Sequence, residues 1–257
     1  MTTYITGANG FLGSHLTQKL EDFIPVPHRD ITTTDFSDAT RVFFLSAYGN
    51  MATHTNTQAV VRANILDLAH VLASVDWKKI ESFVFISTSS VKLKVQTTYS
   101  RTKKAAEELL LAYMEKYNAP ITIIRPFSIT GVGEQPEHLI PTLIRSVKND
   151  TVINLAPEPR HDFIDVDDVV NGILNLSNNQ ARGIYELGTG NSYTNKEVLF
   201  MVEQLLDSAS RVTIVHGLRP YDSDNWVSTN FKARNWGWYP VKSLQQSIKE
   251  MIDAEQA

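Results

Sequence analysis

The segment Thr3-Tyr4-Ile5-Thr6-Gly7-Ala8-Asn9-Gly10-Phe11-Leu12-Gly13 opens the chain with a short apolar run followed by three spaced glycines. Thr3 to Thr6 reads as a buried strand and Phe11 to Leu20 as a helix, so the glycines fall on the turn between them. Glycine there lets the turn close, lets the backbone approach a phosphate, and lets the helix pack on the strand. The helix N-terminus adds unpaired N–H groups and partial positive charge, which suit an anion. A structural turn alone also explains a glycine triplet. Its place at the first strand–helix junction points instead to dinucleotide binding through Gly7, Asn9, Gly10, Phe11, Leu12 and Gly13.

Outward from this turn, short strand-like runs alternate with longer helical stretches. Phe23–Val26, Val42–Leu45, Phe83–Ile86 and Ile121–Ile124 read as strands. Residues 58–75 and 102–117 carry apolar side chains at helical spacing. Strands apolar on both faces, alternating with helices, predict an α/β fold with a doubly wound parallel sheet. Beyond Arg125-Pro126 the regularity fades, with prolines at 136, 141, 157 and 159 and helical patterns at 139–147, 166–176, 196–206 and 244–252. The expected organisation is a Rossmann core at 1–126, rejoined by about 161–177. Residues 127–160 and 178–257 are expected to form mostly a small C-terminal substrate-binding subdomain.

Composition narrows the function classes. The 257 residues are 42% hydrophobic and 20% charged, ordinary for a globular chain and against disorder. Lys plus Arg is 24 against 28 for Asp plus Glu, a net charge of −4 that offers no electrostatic footprint for nucleic acid or an anionic membrane. Cys is absent, which excludes thiolate nucleophiles, Cys-ligated metal and disulfides. Met1 leads straight into the first strand with no basic and apolar leader, and no apolar run approaches a membrane span. The expectation is a cytoplasmic enzyme without nucleic-acid, membrane or metal partners.

The second strand ends in Val26-Pro27-His28-Arg29-Asp30. An acid at this end suits the free 2′-hydroxyl of NAD, whereas Arg suits the 2′-phosphate of NADP. Pro27 holds the acid position, with His28 and Arg29 just beyond, so NADP is favoured over NAD. Asp30 is the alternative ribose ligand if the strand runs longer.

Tyr99 and Lys103 lie four apart, which puts a phenol and an ammonium on one helical face. The hydroxyl cluster Ser87-Thr88-Ser89-Ser90 ends the preceding strand, where ligands meet a doubly wound sheet. Glycine turn, hydroxyl strand end and Tyr-x-x-x-Lys together are far more specific than any one.

With these three features in order, the chain resembles the extended short-chain dehydrogenases/reductases, in their NAD(P)-dependent epimerase/dehydratase branch of sugar-nucleotide enzymes. Asp35-Phe36 resembles the family's adenine-contacting pair, and Leu45-Ser46-Ala47 its strand end along the cofactor. Asn64, Arg125-Pro126-Phe127, the block 160–169 and Tyr185-Glu186-Leu187-Gly188 match later family blocks, and Asn235 to Pro240 is similar to its ending. The resemblance implies a catalytic set of Thr88, Tyr99 and Lys103, with Ser89 as the alternative hydroxyl. Tyr99 would take the substrate proton while hydride passes to the cofactor, and Lys103 would hold the nicotinamide ribose. A free Tyr has a pKa of about 10. A Lys103 ammonium and the positive nicotinamide would lower it.

The resemblance further implies substrate contacts at Ser89, Ser128, Arg160 and Arg219, the arginines clamping a diphosphate; ordinary surface ion pairs are the alternative for both. It implies a homodimer through helices near 58–75 and 102–117, where Leu109, Leu110, Tyr113, Met114 and Tyr117 form an apolar stripe. Two departures bear on the reaction. Dehydratases of the family carry an Asp-Glu pair where Ser89-Ser90 stands, which argues against 4,6-dehydration. The loop 89–98 is also short. The reading is an epimerase or oxidoreductase of a nucleotide-activated sugar. Alternatives are a ketoreductase of a sugar nucleotide or small non-sugar ketone, and a non-catalytic dinucleotide sensor. The acids at 162, 165, 167 and 168 with His161 read as strand alternation and helix-start charges rather than metal ligands. Trp226, Trp236 and Trp238 read as packing.

Overall fold

The computed structural model describes residues 1–51, 53–214, 226–229 and 231–255. The first part runs β1 (Thr3–Thr6), α1 (Phe11–Thr17), β2 (Ile24–Val26), β3 (Arg41–Phe44), α2 (Thr57–Val61), α3 (Asp67–Ser74), β4 (Ser82–Ile86), α4 (Thr98–Tyr117) and β5 (Ile121–Pro126). The second runs β6 (Ser128–Thr130), α5 (Leu139–Lys148), β7 (Val152–Leu155), β8 (Arg160–His161), β9 (Phe163–Asp165), α6 (Val166–Asn178), β10 (Gly183–Leu187), β11 (Tyr193–Thr194), α7 (Asn195–Leu206), β12 (Arg211–Ile214) and α8 (Leu244–Ala254).

Six strands form one sheet in the order β2-β1-β3-β4-β5-β10, every neighbouring pair parallel. Alternation along each strand sends side chains to two cores. Val42 and Phe44 of β3 join Phe83, Phe85, Ile121 and Ile123 under α3 and α4, while Phe43 joins Ile5, Val84 and Ile124 under α1 and α6. Helices on both faces bury the central strand β4 along its whole length, and it is apolar throughout apart from Ser82. The winding direction reverses between β1 and β3, and the carboxyl ends flanking that reversal are where such sheets bind ligands. The glycine turn leaves β1 at this point.

The connection from β2 to β3 carries no α-helix; His28–Asp30 make a single 3₁₀ turn there. A third cluster joins α5, α7 and α8 around Ile144, Val198 and Ile248, with Ile153 of β7 and Phe163 of β9. α6 packs on α1, β4 and β5, so it covers the sheet.

Three local features differ from the sequence expectation. The strand β10 lies within 178–257 yet completes the six-stranded sheet beside β5, so that stretch is shared between core and C-terminal part. The helix expected over 102–117 starts at Thr98, because Thr97 caps it by accepting from the Ser100 N–H. The helix expected over 58–75 is interrupted by a π-helical turn at Arg62–Leu66. Part of the apolar stripe on α4 is core: Leu110 is fully buried against the sheet, and the Tyr113 ring lies tilted against Trp77. Among the described residues no helix is long and apolar enough to cross a membrane. No group of three or more His, Asp or Glu gathers there as a metal site.

Candidate functional site

The turn after β1 is packed so tightly that its glycines are required. Gly7 has φ +73°, and a Cβ there would meet the Ser46 backbone N at 2.9 Å. A Cβ on Gly13 would stand 2.1 Å from the Gly7 carbonyl oxygen, which no relaxation of a side chain relieves. The Gly10 N–H donates to the Gly7 oxygen at 3.0 Å, closing the turn, and Gly10 caps α1 without a side-chain acceptor. The first N–H groups of α1 therefore keep no capping side chain, with Asn9 and Gly10 exposed beside them. Leu12 is buried in the core, so it anchors the turn, and Phe11 packs edge-on against His15.

The end of β3 lies against this turn. Ser46 is buried and its N–H donates to Thr6 Oγ1 at 3.2 Å, while Leu45 N–H donates to the Thr6 carbonyl. Ala47 is exposed. Beyond it, Asn64 on the π-helical turn accepts from the Tyr48 N–H at 3.0 Å and donates to the Tyr48 carbonyl at 2.9 Å. The same Asn64 amide donates to Thr102 Oγ1, which donates to the Tyr99 carbonyl at 2.8 Å. One buried amide thus ties the loop after β3 to the turn of α4 that carries Tyr99.

Thr88 follows β4 and caps a 3₁₀ turn, accepting from the Ser90 N–H at 3.1 Å and donating to the Ser90 hydroxyl at 3.0 Å. Ser89 is buried, and its hydroxyl accepts from the Trp226 indole N–H at 2.9 Å. Lys103 is 0% exposed, and its Nζ has no hydrogen-bond partner among the described residues. That ammonium lies 4.0 Å above the Phe85 ring, and burial pulls its pKa down to about 7. Tyr99 keeps some solvent contact, but its low-dielectric surroundings push the phenol up to about 12. Burial thus works against the lowering that a Lys103 ammonium and a nicotinamide would together exert on Tyr99. Desolvation outweighs any field from Lys103, which itself resists carrying charge.

At the β2 end, Pro27, His28 and Arg29 are exposed. His28 Nδ1 stands 3.0 Å from Asp67, a carboxylate only 1% exposed, and Arg29 leans on Asp30 at 3.6 Å. Asp35 accepts from the N–H and hydroxyl of Ser37, and Phe36 is fully buried 5.0 Å from the Tyr4 ring. The Ser128 N–H donates to the Asp162 carbonyl. Arg160 stands 3.6 Å from Glu197 and donates to the Ser192 carbonyl at 3.4 Å. Arg219 lies outside the described residues.

The sequence pointed to no role for Glu107 or Asp67, and Asp162 read only as strand alternation. Glu107 could have been found from its spacing, one turn beyond Lys103. Asp162 is fully buried and accepts from Thr189, the Gly190 N–H and the Ser228 N–H, joining segments far apart in the chain. Asp165 caps α6 by accepting from the Asp167 N–H.

The donor set fits a dinucleotide: a glycine cradle, uncapped N–H groups and a buried ammonium unpaired among the described residues all sit at the carboxyl ends of one parallel sheet. Fold and turn define a Rossmann-type α/β protein. The sequence matches the NAD dependent epimerase/dehydratase family over residues 3–188, well over half of the chain, and the chain belongs to that family.

Among its relatives, dTDP-D-glucose 4,6-dehydratase of Mus musculus is 23% identical over 207 residues, which cover 72% of this chain and 58% of that protein. The match thus spans little more than half the length of that relative. Among solved structures, MoeE5 in complex with UDP-glucose and NAD superposes with a TM-score of 0.89 at 23% identity, covering 100% of this chain and 99% of that one. RMD from Pseudomonas aeruginosa complexed with NADPH gives 0.84 at 18% identity, covering 98% and 97%. At these identities the likeness is one of fold.

Proposed function

We propose that the protein is an NAD(P)-dependent oxidoreductase or epimerase acting on a nucleotide-activated sugar, with Thr88, Tyr99 and Lys103 as its catalytic set. The observation that carries this reading is Lys103. A fully buried ammonium without a hydrogen-bond partner among the described residues is costly, and a site that binds polyhydroxyl groups is what makes it useful. The bound nicotinamide supplies the hydride acceptor and donor. Tyr99 exchanges the proton of the reacting hydroxyl, Thr88 holds that oxygen, and Lys103 spends its idle N–H donors on the ribose. Burial pushes Tyr99 up to about 12 and pulls Lys103 down to about 7, so a bound cofactor would have to favour the phenolate and the full ammonium charge against that desolvation.

Ser89 and Ser90 carry no carboxyl group, and Ser89 already accepts from Trp226, which leaves no acid at these positions for water loss. Epimerisation and reduction share the same three residues. Purified protein separates them by whether turnover consumes stoichiometric NADPH. NADP is the favoured cofactor, since Pro27 holds the expected acid position at the end of β2 and the Arg29 guanidinium is exposed beside Asp30. Arg160 and Arg219 are the proposed diphosphate contacts. A homodimer through α2–α3 and α4 is proposed from exposed Leu66, on the turn between α2 and α3, and exposed Tyr117 on α4. Tyr99→Phe tests the assignment: turnover should vanish with cofactor affinity nearly unchanged, and a fully active variant rules Tyr99 out.

A further inference from the structure

One turn beyond Lys103 on α4, Glu107 is 2% exposed and makes three strong contacts. Its Oε1 accepts from the Ser87 hydroxyl at 2.5 Å and from Arg125 Nε at 2.8 Å, and its Oε2 accepts from Arg125 Nη2 at 2.5 Å. Ser87 immediately precedes Thr88, and its N–H donates to the Ile124 carbonyl at 2.7 Å, beside Arg125. One carboxylate therefore joins three pieces of chain: the end of β4, the end of β5 and the helix carrying Tyr99 and Lys103.

We infer that Glu107 is a positioning residue of this site: it locks the Thr88-bearing strand end to the helix face of Tyr99 and Lys103, so that their relative placement is set before any ligand arrives. The inference rests on the functional reading above. Backbone pairing already holds β4 to β5, and α4 is a regular helix. What neither supplies is a fixed register between the strand end and the helix face. A bidentate guanidinium fork with a third donor supplies it, because displacing either element breaks a charge-assisted bond in a buried place. Both Glu107 oxygens are spent, so Lys103 gains the nearby negative charge without losing its donors to it.

The charged groups around the clasp are Lys103 on its own helix and Arg125 on β5, with Glu108 on α4 and Glu186 on β10 also acting on Arg125. Removing Glu107 takes away the acid that favours protonated Lys103. The affinity of a ligand held by that ammonium should then fall at lower pH.

The test is calorimetric titration of NADPH and NADH, from pH 6 to 9, into the parent and the double variant Glu107→Leu/Arg125→Met. Replacing both partners by apolar groups avoids the stranded cation that would unfold a single variant. The inference expects the double variant to melt cooperatively near the parent, yet to bind the preferred cofactor at least tenfold more weakly at neutral pH. Its affinity should also be lost at a lower pH than in the parent. A folded double variant with parental affinity and an unchanged pH profile makes the clasp merely structural and overturns the inference. A parent that binds neither nucleotide overturns the functional reading first.

Discussion

Lys103→Met should make the ligand-free protein more stable, and the gain should depend on pH. Lys103 is fully buried, its Nζ has no partner among the described residues, and burial pulls its pKa from 10.5 to about 7. Every tenfold loss of proton affinity corresponds to about 1.4 kcal/mol, so holding the charged form in the fold costs up to roughly 5 kcal/mol. Between pH 7 and 10.5 the unfolded chain keeps this proton while the folded chain releases it. Stability of the parent therefore rises with pH across that window, and below about pH 7 the whole cost is present. Methionine keeps the stem and removes the charge, so the variant should gain a few kcal/mol at pH 6.5 and lose the advantage towards pH 10. For a chain of this size a gain of 1 kcal/mol raises Tm by about 2–4 °C. Thermal melts of both proteins from pH 6 to 10, compared as differences so that other groups cancel, measure this directly. A variant that melts below the parent at pH 6.5, or a difference independent of pH, refutes the assignment of a strained buried ammonium.

Three further outcomes follow from the same geometry. Cofactor affinity should weaken as pH rises above about 7, because the ligand favours protonated Lys103; calorimetry across that range reads it. Gly13→Ala should abolish soluble folded protein or cofactor binding, since its Cβ would stand 2.1 Å from the Gly7 oxygen; a parental melting curve with intact binding contradicts the packing. Arg29→Ala should weaken NADPH by about tenfold to a hundredfold and leave NADH nearly untouched, the equivalent of one charge-assisted hydrogen bond of about 1.5–3 kcal/mol. Equal affinity of the parent for the two cofactors would shift the ribose contact to Asp30.

The Rossmann half was legible because its signals are local. Five strand runs and the glycine turn each announce themselves within ten residues, and their order implies the sheet. The second half resisted because its strands are two to five residues long and pair with distant segments. Tyr193–Thr194 with Arg160–His161 is an example, and no periodicity marks it. The strand β10 escaped assignment to the sheet because Gly183 to Leu187 is short and its run is broken by the charged Glu186. Only pairing with β5 distinguishes it.

The start of α4 was hidden by the β-branched Thr97 and Thr98, of which Thr97 caps the helix and Thr98 is its first residue. In the candidate site, spacing puts Tyr99 and Lys103 on one helix face, whereas Thr88 comes from resemblance to the family. The burial that raises Tyr99 and lowers Lys103 depends on the whole fold and could not be read from the chain. The tie from Asn64 through Thr102 to Tyr99, and the clasp at Glu107, join helices and strands through side-chain geometry that sequence spacing only hints at.

The central claim is that this site moves hydride between a nicotinamide cofactor and a nucleotide-linked sugar. The most direct measurement is absorbance at 340 nm after mixing the purified protein and its NADP⁺ or NAD⁺ complex with a panel of nucleoside diphosphate sugars. The account predicts reduced cofactor, transient or lasting, with at least one member of the panel in the parent and with none in Tyr99→Phe. A parent that binds cofactor yet shows no reduction with any sugar nucleotide, alongside steady NADPH oxidation by a small ketone, would contradict it.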